Sequence, residues 1–406
     1  MPVSLDLIRC AARAIAPYIY RSPCVHSETL SRLCGAEVWS KLDHLQATGS
    51  FKERGACNKL LSLDAKEAQR GVIAVSAGNH ALGLARHGKL LNIPVCVVMP
   101  RFAPMVKIHN CRLLDAEVII HGDDFACAKE HALALAKDRG TTFIPAFDDD
   151  EIICGQGTIG LEILEDLPEV DAIFVPIGGG GLAAGLATAV KSQRPQCRII
   201  GVEPEHAPGM HASLIKGEPC LVATQPTLAD GLAAAQVGQR CFEICQQLLD
   251  EVLLVDESLI AQAIVRLLEH EKMVVEGAGA ASLAGALQRP LLMRHGLLGK
   301  RIALVICGGN IDVSMLNRVI ERAFAADGRM CRIGVSLRDR PGSLVHLCAV
   351  IAGAEGNVKE ITHDRTFGPM DPNWVSSLLT IETRDHEHIK AIHRALDQAG
   401  ILFSTS

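Results

Sequence analysis

Asp171-Ala-Ile-Phe-Val-Pro-Ile177 runs straight into Gly178-Gly179-Gly180-Gly181, and an alanine-rich stretch from Leu182 to Val190 follows without a break. An uninterrupted apolar run of this length reads as a strand buried on both faces, and the alanine-rich stretch reads as a helix. Strand, glycine turn and helix in immediate succession form the repeating unit of a parallel α/β sheet. Four residues without side chains also let successive backbone N–H groups converge on an anion, with a favourable helix dipole behind them. A phosphate is the expected guest. A plain tight turn would not need four glycines, each of which loses extra chain entropy on folding. Which phosphate stays open at this point. Gly179-Gly180-Gly181-Leu182-Ala183-Ala184 also fits a relaxed G-x-G-x-x-A fingerprint, and Glu203 ends the next strand where a dinucleotide site places its ribose-binding acid.

The same grammar extends outward in both directions. Apolar runs at 71–75, 93–99, 117–120, 142–144, 198–202, 252–255 and 302–306 predict further strands, with helices at 79–90 and 123–138 between them. From residue 329 the pattern changes. Alternating residues 332–337 predict a half-exposed strand, and Pro341 opens a helix to 352 with Asp339 as its cap. Strands at 357–364 and 374–383, a helix at 385–398 and a strand at 401–404 complete a β-α-β-β-α-β order, the ferredoxin-like module. The helix 313–326 reads as a connector, which sets the boundary near 328.

Composition narrows the class. A chain of 406 residues suits two or three domains, and 49% hydrophobic content is ample for their cores. Forty Lys and Arg against 46 Asp and Glu, with no basic block, speak against nucleic acid and anionic membranes as partners. No apolar stretch is long enough to span a bilayer, and the first residues lack the pattern of a secretory signal. Fifteen scattered cysteines without a C-x-x-C read as reduced thiols of a cytoplasmic protein rather than a disulfide frame or zinc site. Asp148-Asp149-Asp150 reads as the cap of a helix starting at Glu151 rather than a metal run.

Three further segments could carry chemistry. In Thr48-Gly49-Ser50-Phe51-Lys52-Glu53-Arg54-Gly55, a lysine among small residues and one aromatic starts a helix. Such an amine can sit desolvated and form Schiff bases, although a lone lysine is commonly a solvated charge. Ser76-Ala77-Gly78-Asn79-His80 follows a buried strand and opens a helix, giving a second anion seat sized for a carboxylate. Asn79 could hydrogen-bond a phenolic oxygen of a ring cofactor. Cys307-Gly308-Gly309-Asn310 is a third glycine turn after a strand.

S-F-K-x-R-G, S-A-G-N-H, the tetraglycine loop and C-G-G-N, in this order and spacing, resemble the fold-type II (tryptophan synthase β-like) pyridoxal-phosphate enzymes, and within them the threonine dehydratase and serine racemase branch. The resemblance runs from about residue 5 to 325. The last module, with Asp339-Arg340-Pro341-Gly342-Ser343-Leu344, looks like a regulatory ACT domain. The resemblance implies a catalytic domain at 1–328, with a small lobe near 72–148 inserted in a larger one, and an ACT domain at 329–406. Both catalytic lobes would be built on parallel sheets.

It also implies roles. Lys52 would carry pyridoxal 5'-phosphate and act as general base, with Phe51 against the ring and Asn79 on the ring oxygen. Gly178, Gly179, Gly180 and Gly181 would hold the phosphate. Cys307 takes the position of a Ser or Thr beside the ring nitrogen; its thiol is a weak donor, which would leave that nitrogen unprotonated, or it is simply a small residue that fits. Ser76, Ala77, Gly78, Asn79 and His80 would grip the carboxylate of an amino-acid substrate, and Glu276 matches an acid near the cofactor that could equally be structural. The implied reaction turns L-threonine into 2-oxobutanoate and ammonia, and L-serine into pyruvate. A serine dehydratase of the same machinery is the alternative, alongside a β-replacing synthase and a non-catalytic sensor. Racemases of the branch carry a serine where this chain has Ala77, which has no transferable proton. Relatives bind a divalent or monovalent cation at positions matching Glu203 and Ala207, but Gly209 replaces their second acid. An amino-acid effector would sit at Asp339, Gly342, Leu344 and Asn357, with a homodimer or homotetramer as the assembly; an ACT domain serving only assembly is the other reading.

Overall fold

The structure, a computed structural model, describes residues 3–365, 371 and 373–405. Two compact units divide the chain, the first ending at Ile311 and the second starting at Asp312. The helix Val313–Ala326, expected as a connector, therefore groups with the second unit.

The first unit holds two sheets. The larger has six strands in the order Cys24–Ser27, Glu37–Lys41, Arg301–Val305, Ala172–Pro176, Arg198–Pro204, Glu251–Val255. All neighbours pair in parallel except Cys24–Ser27 with Glu37–Lys41, which is antiparallel. Ala172–Pro176 is buried along its whole length, as its unbroken apolar pattern requires of a central strand. The smaller sheet is entirely parallel, in the order Glu117–Ile120, Val95–Met99, Val72–Val75, Thr142–Phe143. Sequence patterning does not single out the first two strands of the large sheet. They are short and only partly buried, and Glu37–Lys41 is held in strand form by its parallel ladder with Arg301–Val305, far away in the chain.

A charged cluster lies inside this unit. Arg54 donates to Asp43 through Nε at 2.8 Å and Nη2 at 2.7 Å, and to Glu162 at 2.6 and 2.9 Å. Lys41 bonds Glu162 and the carbonyl of Ser22, and the Ser22 hydroxyl donates to Asp43 at 2.6 Å. Arg54, Asp43 and Lys41 are fully buried. The cluster thereby pins the helix Lys52–Leu61 to the N-terminal segments and to the helix Asp150–Asp166.

The second unit carries an antiparallel sheet in the order Asn357–Asp364, Trp374–Glu382, Met330–Arg338, Phe403–Thr405, with the helices Ser343–Gly353 and His386–Gln398 completing the ferredoxin-like order. Two expectations are corrected here. Asp339 does not cap the helix at 343; Gly342 stands at the N-cap without a side-chain bond, and Asp339 pairs with Arg365 at 2.9 Å. Within one chain Asn357 does not stand beside Asp339. The register sets Asn357 opposite Glu382 and Arg338 opposite Trp374, opposite ends of one strand, about 26 Å apart at strand rise. His388 is buried, with Nε2 2.7 Å from the carbonyl of Ala354. Asp339, Gly342 and Leu344 line a concavity of about 390 Å³ together with His363 and Arg365.

Candidate active site

The loops after strands Val72–Val75, Ala172–Pro176 and Arg301–Val305 all lie at the carboxyl ends of parallel strands, where open α/β sheets hold ligands. Lys52 starts its helix among them. Its Nζ donates to the carbonyl of Ala146 at 3.0 Å and stands 5.1 Å from the centre of the Phe51 ring. Burial pushes the amine down to about 8, an effect that Cys307, Cys241 and Glu276 oppose only in part. An amine is nucleophilic only when neutral, so uptake of an aldehyde by cofactor-free protein is expected to climb with pH and level off above about 8. Stopped-flow absorbance checks this. Uptake still climbing at about pH 10, the range of an exposed lysine, would contradict a desolvated amine.

Several helices here begin with a side-chain cap, such as Ser27, Asp124, Asp149 or Asp256. The helices Asn79–Leu91 and Gly181–Lys191 do not; Gly78 and Gly180 stand at their N-caps, leaving first-turn N–H groups for an anion. Around the tetraglycine turn there is no room for side chains. A Cβ at Gly179 would lie 2.2 Å from the Phe147 ring, and Gly180, at φ +99°, would meet Cys241 at 2.8 Å. Gly178 abuts Leu232 and Gly181 abuts Phe147, so the turn is a closely walled seat. At Gly78 a Cβ would meet nothing within 4 Å, so that loop opens on free space.

Within the second loop, Gly78 N–H donates to Ser76 Oγ at 3.1 Å, and Ala77 packs against the small-lobe core. The His80 ring faces the carbonyl of Ile144 at 3.3 Å. Burial and Lys52 push it down to about 3, so it is neutral. Asn79 bonds Glu276 and Asn310. Cys307 is buried near Lys52 and Glu276, its thiol pushed well above the usual range by burial and so kept protonated.

Glu203 and Ala207 are already engaged within the chain. Glu203 Oε1 accepts from Met210 N–H at 2.7 Å and Oε2 from His211 N–H at 2.9 Å, so both oxygens serve the start of the helix Gly209–Lys216. The carbonyl of Ala207 accepts from Gly209 N–H at 3.0 Å. Burial pushes the Glu203 carboxyl up to about 8, beyond what the two N–H bonds offset. Among the described residues no three His, Cys, Asp or Glu side chains form a metal group.

Several neighbours of the site carry no motif. Phe147 walls the glycine turn, Ala146 receives Lys52, and Cys241 reaches both the turn and, at 3.5 Å, the carbonyl of Phe147. Asp148 caps the helix Gln239–Leu248 through three backbone N–H bonds, while Asp149 caps the helix Asp150–Asp166. Only the acidic run hinted at capping, and only for the second of these helices.

A family model for pyridoxal-phosphate dependent enzymes matches residues 15–308. L-threonine ammonia-lyase of Thermotoga maritima is 42% identical over 398 residues, spanning 98% of each chain. Among solved structures, the processed form of threonine deaminase isoform 2 from Solanum lycopersicum matches with TM-score 0.75 at 38% identity, over 80% of this chain and 96% of that one. Serine racemase from Dictyostelium discoideum matches with TM-score 0.73 at 34% identity, over 77% of this chain and 99% of that one. No helix among the described residues is long and apolar enough to cross a membrane. The residues at hand fit the cofactor of this family: a desolvated amine for its aldehyde, a walled glycine turn at a helix start for its phosphate, and an amide N–H at Asn79 for its ring oxygen. The sequence match and the geometry meet in the same residues, and the chain belongs to the fold-type II pyridoxal-phosphate dependent enzymes.

Proposed function

We propose that this chain deaminates L-threonine to 2-oxobutanoate and ammonia, and L-serine to pyruvate more slowly. The observation that carries the reading is the desolvated Lys52 amine set beside two glycine-started, uncapped helices, one for a phosphate and one for a carboxylate. The choice of threonine follows from the full-length likeness to an L-threonine ammonia-lyase. When bound, pyridoxal phosphate supplies the electron sink that makes the Cα proton of an amino acid removable. The chain does the rest. N–H groups of the Ser76-to-His80 loop bind the substrate carboxylate and orient the Cα–H bond toward Lys52, whose amine takes the proton. Cys307, a buried neutral thiol and a weak donor, would stand beside the ring nitrogen and leave it unprotonated. The test is release of 2-oxo acid from L-threonine and from L-serine by the purified holoenzyme. Faster 2-oxobutanoate supports the reading, dominant pyruvate reassigns the substrate, and neither product overturns it.

Ala77, standing where racemases of the branch carry a serine, has no transferable proton. D-serine formation is therefore expected to stay below about 1% of pyruvate formation, a ratio that falls within the rate loss of a missing general acid. Chiral chromatography of the reaction mixture measures it.

The concavity of the second unit suits a free amino acid as effector. Asp339 and Arg365, now paired with each other, match the ammonium and carboxylate ends of such a zwitterion. Asp339→Ala is expected to weaken any amino-acid effect on turnover by about tenfold or more, the scale of a lost charged hydrogen bond, and to leave uninhibited turnover unchanged. Isoleucine and valine titrations of the full chain measure this; no response of the unaltered enzyme to any amino acid would leave the module a purely structural role. Fifteen free thiols suit a reducing cytoplasm, and the ACT-like module suits a homodimer or homotetramer.

A further inference from the structure

Asn79 is held on two sides. Its Oδ1 accepts from Asn310 Nδ2 at 2.8 Å, and its Nδ2 donates to Glu276 Oε1 at 2.7 Å. Asn310 Nδ2 also donates to the backbone carbonyl of Thr48 at 2.7 Å, so both of its hydrogens are committed. A backbone carbonyl can only accept. Turning the Asn310 amide over would set oxygen against oxygen at Thr48, so Asn310 is locked as a donor toward Asn79. Glu276 cannot impose an orientation by itself. Burial, reinforced by Asp230, pushes its carboxyl up to about 7, and a carboxyl accepts when ionised and donates when protonated. The direction of the Asn79 amide is thus set from the Asn310 side.

The backbone is shaped around this arrangement. Gly49 has φ +77°, and a Cβ there would lie 2.5 Å from Asn310 Oδ1. A Cβ at Gly308 would lie 2.1 Å from Glu276 Oε1 and 3.3 Å from Asn79 Nδ2. Gly309 N–H to the Gly49 carbonyl at 2.8 Å and Phe51 N–H to the Cys307 carbonyl at 2.9 Å fasten the two loops together beside Lys52.

We propose that Asn310 is a positioning residue, which fixes the Asn79 amide so that its nitrogen, and not its oxygen, faces the cofactor's ring oxygen; this rests on the reading of Asn79 as the partner of that oxygen. With one hydrogen given to Glu276, Asn79 Nδ2 has one left for the ring oxygen. A donor facing that oxygen favours its ionised form, whereas an acceptor would oblige it to keep its proton.

The test is the pH titration of the visible absorbance of the cofactor-loaded protein, run on the unaltered chain, Asn310→Asp, Asn79→Ala and the double variant. Asn310→Asp keeps the shape but removes both donors, and its oxygens repel Asn79 Oδ1, turning the amide over. The band interconversion is expected to move up by about one pH unit or more, the size of one hydrogen bond lost between two protonation states. In the Asn79→Ala background the same substitution is expected to add nothing, which separates an effect relayed through Asn79 from the bare charge of the new carboxylate. A titration unmoved by Asn310→Asp, or moved equally with and without Asn79, overturns the proposal. If the unaltered chain and Asn79→Ala titrate alike, the assignment of Asn79 itself fails, and the proposal with it. Should Asn310→Asp not load cofactor, Asn310→Ala takes its place; it frees the Asn79 amide and is expected to give a smaller shift in the same direction, and no shift overturns the proposal.

Discussion

Lys52→Ala is expected to lower turnover of L-threonine by about 10⁴-fold or more, the scale of losing a nucleophile and general base held in one side chain. Two roles vanish together: the amine that joins the cofactor aldehyde, and the base placed to receive the substrate's Cα proton. The glycine turn proposed to seat the phosphate does not involve Lys52, so the variant is expected still to bind cofactor non-covalently. Borohydride reduction followed by peptide mass spectrometry should mark residue 52 in the unaltered chain and nowhere in the variant. Folding is not expected to suffer, because Lys52 makes one side-chain hydrogen bond, to Ala146, and its burial opposes its charge. Covalent labelling at another lysine, or turnover within about tenfold of the unaltered enzyme, would remove Lys52 from its assigned role.

Asp43→Ala is expected to produce the largest loss of stability, about 3–5 kcal/mol, the range for breaking a buried ion pair from one side. Burial by itself would raise the Asp43 carboxyl, but the charge and paired N–H groups of Arg54, with the Ser22 hydroxyl, hold it below the usual carboxylate range. Removing it leaves a fully buried guanidinium with Glu162 as its remaining charged partner. Arg54 lies on the same helix as Lys52, two positions on, so the site should loosen as well. Calorimetry of the holoenzyme is the measurement, with a fall in Tm of roughly 5–10 °C expected. The pH dependence follows from the direction of the shift. A carboxyl held low in the folded state stabilises fully above its unfolded value, near about 3.9, and loses that contribution as pH falls through its folded value. The gap between the two proteins should therefore be constant near neutrality and close in strong acid. An Asp43→Ala protein as stable as the unaltered chain at neutral pH would mean that Arg54 finds another partner.

Where the sequence could be read and where it could not has a consistent cause. Val72–Val75, Val95–Met99 and Ala172–Pro176 announced themselves because a strand buried on both faces must be apolar throughout. Cys24–Ser27 and Glu37–Lys41 did not, since their conformation comes from partners rather than from their own pattern. The glycine turn, the Ser76-to-His80 loop and Lys52 were legible because each needs particular backbone freedom or a particular functional group next to a helix start. Glu203 shows the opposite case. A match by position suggested a cation ligand, while the fold spends both of its oxygens on Met210 and His211. Asn357 is another, placed by antiparallel register at the far end of the sheet from Asp339.

The sequence by itself determined the α/β class, the ferredoxin-like second module, the lysine at a helix start, and the two glycine-started helices, because apolar period and glycine placement act within a few residues of one another. Tertiary structure alone decided that Phe147 and Cys241 wall the glycine turn, that Asp43 and Glu162 share Arg54, and that Asn310 and Glu276 grip Asn79 from opposite sides. Apart from Asp43 and Arg54, which are 11 positions apart, these partners lie tens to hundreds of positions apart in the chain, and a hydrogen bond of 2.7 Å depends on the packing of whole sheets, which no local pattern records.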